Sequence, residues 1–454
     1  EYYMNHDYIL GKEKIFTALM KLSIPATVAM LINAIYNIVD TIFVGREIGA
    51  LGIAGVSVYL PLQMIMMSLA SLIGVGTASI FSRKIGNNDL EGANKAFGNL
   101  ILLVYLFSIF TFIFGFIFLE ELVRFLGASN EVLPYAIDYA RSILPGVLFF
   151  PICVAANNII RAEGSAKDAM CCMSIGMISN IFLDYLFICK LNMGITGAGL
   201  ATSISKSLSF SYLTYYILNK SSVKLKLKYL KFDFSILKKI ISIGTSAFIT
   251  QVSISLVALL LNHSLVKYGG NFALSIYGII YKLTLFIQMP LSGLVQGMQP
   301  IIGFSTGANN RTRVINTFKL TLIISTFIAT TLTLIILIKT DMFMKLFTTD
   351  INLINEGSKV LKSNIIMYPF LGIYLTSIGF YQSTGKGKES LILSLLRQFI
   401  FFIPLSIILP SLFNLGIWGI WLAFPISDFL AFICTLVIAK ITINKKAINP
   451  KIIN

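Results

Sequence analysis

Long apolar stretches alternate with short polar segments along the whole chain. An apolar helix of about 20 residues crosses the hydrocarbon core of a membrane and satisfies its own backbone hydrogen bonds there. The pattern therefore predicts an all-α, polytopic membrane protein with twelve transmembrane helices. Their expected positions are residues 20–44, 53–82, 95–119, 134–160, 168–189, 195–218, 240–266, 273–305, 314–338, 358–383, 389–412 and 417–440.

The two halves of the chain repeat each other at a separation of about 221 positions. The repeated residues include the pairs Gly76 and Gly297, Gly86 and Gly307, Asn88 and Asn309, and Gly164 and Gly385. Each half holds six predicted helices, so the second half enters the membrane from the same side as the first, and the repeats are parallel. We expect two six-helix lobes around a central cleft, residues 1–218 and 240–454, joined by a basic cytoplasmic connector at 219–239.

The composition also indicates a membrane protein. Apolar residues make up 56% of the chain and charged residues only 12%, whereas soluble domains carry about 25% charged residues. The net charge of +16 comes mostly from Lys and Arg in alternate loops, which is typical of cytoplasmic loops and not of a nucleic-acid surface. We therefore expect a multi-pass protein of the cell membrane with both termini in the cytoplasm, in contact with lipids and without a nucleic-acid partner.

Three of the twenty carboxylates lie well within apolar stretches, namely Asp40, Asp184 and Asp428. A charged side chain at the bilayer centre costs at least about 2.5–3.5 kcal/mol, so an acid inside the membrane is a functional candidate by default. Asp40 and Asp184 lie at similar depths below the outer ends of predicted helices 1 and 5. The second half has no acid at the repeated positions, where Leu261 and Leu405 stand instead.

Polar side chains that can meet these two acids lie at helical spacing on three helices. They are Asn33, Tyr36 and Asn37 on helix 1, Asn180 on helix 5 and Thr202 on helix 6. One interpretation is that these groups brace the helices by hydrogen bonds of about 1 kcal/mol each. Because bracing does not need two carboxylates, we favour a site for a proton or a sodium ion. Oxygen-only side chains suit such a cation and do not resemble a transition-metal site.

The second half offers a different constellation. Arg397 on helix 11 and Asp428 on helix 12 are expected to form a structural ion pair, with Lys282 on helix 8 as a second partner for Asp428. Contact with a substrate is the alternative role for these charges. Further candidates for the wall of the cleft are Met64, Gln251 and Met289, together with Lys282 and the polar residues of helix 1. Flexible thioethers suit varied apolar guests, although plain packing is the simpler role for most methionines.

Several short motifs occur in a fixed order along the chain. They are Ser-Ile-Pro at 23–25, Val-Asp-Thr at 39–41, Gly-Val-Gly-Thr-Ala at 74–78, Asn-Ile-Phe-Leu-Asp at 180–184, the glycine-rich start of helix 6 at 194–202, and Gly-Met-Gln-Pro at 297–300. In this order and spacing the chain resembles the multidrug and toxic compound extrusion (MATE) transporters over about residues 15–440.

The resemblance implies a transporter, not an enzyme, that works without a cofactor and as a single chain. MATE transporters alternate access to a cleft between two lobes and export organic, often cationic, compounds in exchange for inward H⁺ or Na⁺. Their first-lobe cation site maps onto Asp40, Asn180, Asp184, Thr202 and Asn157. Pro25 matches the helix 1 proline that the family links to bending of that helix.

One departure bears on the branch of the family. The NorM-like branch places acids on helices 7 and 10, where this chain has only Gln251 on helix 7 and no acid on helix 10. The chain therefore looks more like the DinF-like branch, whose coupling acid lies in the first lobe.

Other classes of membrane protein fit the sequence less well. Lipid-linked oligosaccharide flippases usually have more basic residues inside their cavity than Lys206, Lys282 and Arg397. The acidic and basic signature of major-facilitator transporters is missing between helices 2 and 3. An ATP-driven pump or a membrane enzyme needs a nucleotide or catalytic motif, and the segment Gly-Phe-Tyr-Gln-Ser-Thr-Gly-Lys-Gly at 379–387 departs from the phosphate-loop spacing. A passive channel does not explain acids confined to one lobe.

Overall fold

The computed structural model describes residues 8–223, 226–412 and 415–448, and every regular element within them is a helix. The transmembrane helices are α1 Ile15–Glu47, α2 Ala50–Gly86, α3 Leu90–Ile117, α4 Leu133–Val147 continued by Phe150–Ala162, α5 Ala166–Lys190, α6 Gly194–Asn219, α7 and α8 within Phe234–Gly307, α9 Arg311–Ile338, α10 Ile351–Ile365 continued by Tyr368–Ser383, α11 Gly387–Ser411 and α12 Ile417–Ile448. Short helices at Leu119–Phe125 and Thr340–Lys345 precede α4 and α10.

The boundary between α7 and α8 differs from the prediction of a loop at 267–272. Helical structure extends over the 74 residues of Phe234–Gly307, with no loop of several residues inside it. At about 1.5 Å per residue this length is several times the membrane core of about 30 Å, so it cannot be one crossing. Gly270, with φ 62° and ψ −163°, leaves the helical region and separates the two helices. Only glycine adopts such dihedral angles without strain.

Two helices that the sequence pattern predicts as single spans are each bent at a break. The two parts of α4 meet at 42° and those of α10 at 45°. Pro151 and Pro369 stand in the first turn of the second part in each case. A proline lacks an N–H donor and its ring clashes with the carbonyl four residues earlier, which explains both breaks.

Other helix ends also differ from their predicted positions. The helices take up part of the predicted connector 219–239, because α6 ends at Asn219 and α7 begins at Phe234. The last helix continues to Ile448, beyond the predicted end at 440. Residues 1–7, 224–225, 413–414 and 449–454, which include both predicted cytoplasmic ends and part of the connector, lie outside the described residues.

The internal repeat of the sequence is also a repeat of backbone conformation. Positive φ angles occur at pairs of residues 221 positions apart, namely Gly49 (85°) and Gly270 (62°), Asn88 (57°) and Asn309 (55°), and Gly164 (90°) and Gly385 (77°). These residues lie in the same inter-helix turns of α1–α6 and α7–α12. The repeated glycines and asparagines therefore mark equivalent turns in two lobes that share the same backbone fold.

The two lobes meet at the end of the bundle that carries the connector, here called the connector end. A Cβ atom on Gly86 of α2 would overlap the carbonyl oxygen of Phe304 on α8. A Cβ atom on Gly307 of α8 would overlap the carbonyl oxygen of Arg83 on α2 in the same way. The two contacts are related by the repeat, so the paired glycines let the lobes approach at backbone distance.

Apolar side chains close the same interface. Leu19 and Leu22 of α1 pack with Leu294 and Met298 of α8, and all four are at most 2% exposed. A second cluster joins Ile80 and Ala96 of lobe one to Ile240 and Ile243 of α7. The described clusters nearer the other end of the bundle belong to one lobe each. The lobes are thus joined at the connector end.

This interface predicts the effect of one added methyl group. Gly307→Ala should destabilise the protein by about 1–3 kcal/mol, the usual cost of overpacking a close contact. Gly278 lies on the same helix with open space around its Cβ position, so Gly278→Ala is the matched control. Thermal unfolding in detergent should show a lower Tm for Gly307→Ala alone, and equal midpoints for the two variants would contradict the packing account.

Candidate functional site

Asp40 of α1 and Asp184 of α5 meet inside lobe one. Their carboxyl groups lie close enough for a side-chain hydrogen bond if one of them carries a proton. Asp184 is 0% exposed and Asp40 is partly buried. Two ionised carboxylates have no proton to donate, so such a hydrogen bond needs one protonated group. The arrangement is one in which two carboxyl groups can share a single proton.

Asn180 and Thr202 complete the buried side of this pair. The amide of Asn180 is best satisfied when its nitrogen donates to Asp184 Oδ2 at 3.0 Å and its oxygen accepts from the backbone N–H of Thr202 at 3.1 Å. The amide orientation is inferred from these hydrogen bonds. The Thr202 hydroxyl donates to the carbonyl of Ala198 at 3.1 Å and is also hydrogen-bonded to Tyr36. Four of the residues that the sequence predicts, together with Tyr36, are therefore in one network.

One oxygen of this network lacks a donor. Asp184 Oδ1 is buried and has no hydrogen-bond partner among the described protein groups. A buried acceptor without a donor costs about 1–3 kcal/mol, and more when it is charged. A proton on Asp40 would supply a donor to Asp184. The backbone changes from α-helix to π-helix directly after Asp184, over Tyr185–Lys190, and such wide turns are frequent at functional sites.

Lys206 is the functional candidate that the sequence reasoning did not assign to this site. It lies one turn after Thr202 on α6, and its Nζ is 5.9 Å from the ring centre of Tyr36 and 5.1 Å from that of Phe150. Its charge interacts with Asp40, although no ion pair within 4 Å joins it to a described residue. The i, i+4 spacing of Thr202 and Lys206 was the signal that would have placed it here.

Lys206 also borders a small cavity in lobe one. The other residues that line the cavity are Tyr59, Gln63, Met66, Ile143, Gly146, Val147, Phe150 and Thr202. The wall is mostly apolar with a few polar groups. The cavity and the carboxyl pair share Thr202, so they are neighbours.

The remaining predicted residues of lobe one lie outside this network. Asn37 donates to the carbonyl of Asn33 at 2.7 Å and is exposed, so these two face away from the carboxyl pair. Asn157 donates to the carbonyl of Ala169 at 2.9 Å and accepts from Arg161 at 2.7 Å. None of these contacts of Asn157 reaches the acids. Pro25 is buried inside α1, which continues as one helix through it.

The predicted cleft residues of lobe two are only partly brought together. Gln251 of α7 approaches Met64 of α2, with 3.8 Å between Nε2 and Sδ, so this pair lies across the two lobes. Met289 is partly buried and Lys282 is exposed. Lys282 forms no ion pair with Asp428 among the described residues, and Asp428 is paired with Arg397 instead.

Arg397 and Asp428 form the expected ion pair in lobe two. Arg397 Nε lies 2.5 Å from Asp428 Oδ1, and the two side chains are 16% and 6% exposed. The guanidinium also lies 6.0 Å from the ring centre of Tyr374. The two charges are held in a direct ion pair, although Asp428 Oδ2 has no hydrogen-bond partner among the described groups. A direct pair of this kind is suited to holding α11 against α12.

A second cavity, of about 360 Å³, lies between the lobes at the connector end. Ser79 of α2 donates to the backbone carbonyl of Gln382 on α10, and Gln299 of α8 donates to the Gln382 side chain at 2.7 Å. Arg161 of α4 borders the same cavity. These polar contacts cross the lobe interface, so they form part of the seal at this end.

Comparison with known proteins gives a consistent result. A family model described as MatE matches residues 25–186 and 246–408 of the chain. The multidrug export protein MepA of Staphylococcus haemolyticus is 27% identical over 449 residues, which cover 97% of this chain and 98% of the relative. A crystal structure of MATE in the bent conformation has a TM-score of 0.91 and 26% identity, covering 97% of this chain and 98% of that one.

A further solved structure extends this likeness. The outward-facing conformation of a multidrug resistance MATE family transporter of the MOP superfamily has a TM-score of 0.89 and 26% identity, and the match covers 97% of this chain and 98% of that chain. The likeness over nearly the whole length confirms the predicted all-helical membrane fold.

The ion pair of lobe two generates a stability prediction. Arg397→Met or Asp428→Leu alone should lower stability by about 3–5 kcal/mol, because each leaves an uncompensated buried charge. The double variant Arg397→Met with Asp428→Leu should recover most of the loss, because neither charge remains. Thermal unfolding in detergent measures the coupling through a double-mutant cycle. Additive losses would contradict a mainly structural pair.

Proposed function

The chain belongs to the MatE family of multidrug transporters, and from this premise we propose that it exports organic compounds, many of them cationic, in exchange for an inward-moving cation. It is a multi-pass membrane transporter and not an enzyme. The similar MepA protein is named for multidrug export, and the partly apolar cavity beside Thr202 suits organic molecules of varied shape. The coupling step is assigned to the carboxyl pair of lobe one.

The observation that carries this proposal is the close approach of the Asp40 and Asp184 carboxyl groups inside lobe one. When the pair holds a cation, its negative charge is partly cancelled and it can remain buried. When the cation leaves, two carboxylates face each other and attract another positive charge. An organic cation in the adjoining cavity and the coupling cation thus compete for the same negative charge, which is the electrostatic basis of exchange.

The proton fits this site better than a sodium ion. Asn180 turns its amide nitrogen, a donor, towards Asp184, whereas a sodium ion needs oxygen atoms directed at it. Sodium is the alternative coupling ion, and the experiment below separates the two.

The contact between the lobes indicates which end of the bundle is closed in the proposed alternating-access cycle. They are joined at the connector end, so the cleft of this conformation opens towards the opposite end of the bundle. With both termini in the cytoplasm, as the distribution of Lys and Arg favours, this is an outward-facing state in the plasma membrane. Pro25 lies where α1 passes from the lobe interface to Asp40. Bending of α1 at Pro25 would change the position of Asp40 relative to Asp184.

The proposal also covers the branch of the family and the assembly. Helix α7 offers only Gln251 where the NorM-like branch has an acid, and the buried acid Asp428 is paired with Arg397 between α11 and α12. Both features support a DinF-like transporter with its coupling acids in lobe one. Each chain contains both lobes and a complete carboxyl pair, so a single chain in contact with membrane lipids is the proposed working unit.

A transport assay tests the carboxyl pair. In proteoliposomes, an imposed proton gradient should drive counter-transport of ethidium, and a sodium gradient of equal size should not. Asp40→Asn and Asp184→Asn should each reduce gradient-driven transport at least about tenfold, because an amide can neither bind nor release the proton. Asp138, an exposed carboxylate on α4, provides the control variant Asp138→Asn, which should transport normally.

Each contrary outcome rejects a defined part of the proposal. Full gradient-driven transport in Asp40→Asn would reject the site. Transport driven by sodium alone would reject the proton, and transport that needs ATP and no gradient would reject the exchange mechanism.

A further inference from the structure

Lys206 is a positive charge built into the wall of the carboxyl-pair site. Its stem is partly buried on α6, and its ammonium lies between the rings of Tyr36 and Phe150. Such cation–π contacts are worth about 0.5–2 kcal/mol and leave the charge itself unneutralised. Its nearest opposite charge is the carboxyl pair, with which it interacts without a direct ion pair. The ammonium is therefore close enough to stabilise negative charge on the carboxyl pair, but it forms no direct ion pair with either carboxyl group.

The ionisable groups around Lys206 come from three other helices. They are Tyr36 and Asp40 on α1, Cys153 on α4 and Cys172 on α5. Tyrosine and cysteine are uncharged at neutral pH, so Asp40 with its partner Asp184 is the source of negative charge that faces the ammonium. Lys206 and the carboxyl pair form one electrostatic unit.

The formal charge of this unit depends on what the pair holds. With one proton on the pair, one carboxylate and one ammonium remain, and the unit is neutral. With a sodium ion and no proton, two carboxylates, the ammonium and the sodium ion would all be buried together. Burying four charges costs more than burying two. The proton-loaded form is thus favoured as long as Lys206 supplies the second positive charge.

We propose that Lys206 is a tethered counter-ion that restricts the lobe-one site to one exchangeable proton and keeps sodium out of it. The inference rests on the proposed function and makes Lys206 a specificity-determining residue for the coupling ion. Without the ammonium, a single proton would leave one buried carboxylate uncompensated. The site would then retain its proton more firmly or take up a second cation.

A neutral residue of similar length tests the role of the charge. Wild type, Lys206→Met and Lys206→Arg are compared for ethidium transport driven by a proton gradient, over a range of external pH, in sodium chloride and in choline chloride. Wild type and Lys206→Arg should have the same pH profile and no response to sodium. Lys206→Met should show a profile displaced by about one pH unit towards alkaline pH, or a sodium response of about tenfold.

Two further samples make the result decisive. Lys267 is an exposed lysine near the far end of α7, and Lys267→Met should behave as wild type. If Lys206→Met does not transport, its Tm in detergent is measured against pH and against sodium, because binding of either cation stabilises the folded protein.

The outcomes separate this inference from the proposed function. A Lys206→Met variant with the wild-type pH profile and no sodium response would overturn it, as would an equal change in Lys206→Arg, which would indicate packing of the stem. If Asp40→Asn abolishes coupling while Lys206→Met changes nothing, only the role of Lys206 is rejected. If Asp40→Asn transports normally, the proposed function itself fails.

Discussion

Two carboxyl groups side by side in a buried place cannot both be ionised without a compensating positive charge, and this constraint organises lobe one. Asp40 and Asp184 bring two such groups together, and the amide of Asn180 is best satisfied by donating to Oδ2 of Asp184. Since Asp40 is on α1 and Asp184 is on α5, the proposed loss of a proton would weaken a contact between two helices. In the proposed mechanism a change of charge thus becomes a change in packing.

Helix α1 connects this site with the interface between the lobes. Near its start, Ser23 lies so close to Gly297 of α8 that a Cβ on that glycine would overlap it, and the Ser23 hydroxyl approaches the carbonyl of Leu294 at 3.4 Å. Near its other end the same helix carries Asp40. One helix therefore touches both the seal at the connector end and the carboxyl pair, with Pro25 between them. Lobe two, in contrast, ties its buried charges together permanently in the Arg397–Asp428 pair.

The sequence predicted the fold and much of the site because the signals were local. Apolar length located the helices, helical spacing put Asn180 and Asp184 on one face of α5, and similar depth added Thr202 of α6. The function of the repeated glycines was not predictable, because the overlap of Gly86 with Phe304 and of Gly307 with Arg83 depends on how the lobes dock. The α7–α8 boundary was predicted within 267–272, but its reduction to a single residue, Gly270, was not. Asn157 was placed at the site by resemblance, but Arg161 and the α5 backbone occupy its polar atoms. Lys206 was seen only as a basic residue within a helix, because its relation to Tyr36 requires the packing of α1 against α6.

The central claim is that the carboxyl pair gives up a proton when an organic cation binds. The most direct measurement is the pH change on adding ethidium to the detergent-solubilised protein in a weakly buffered solution. The account predicts release of roughly one proton per bound ethidium, by linkage between the two cations, and no release in Asp184→Asn. Ethidium binding without proton release in the wild type, or equal release in Asp184→Asn, would contradict it.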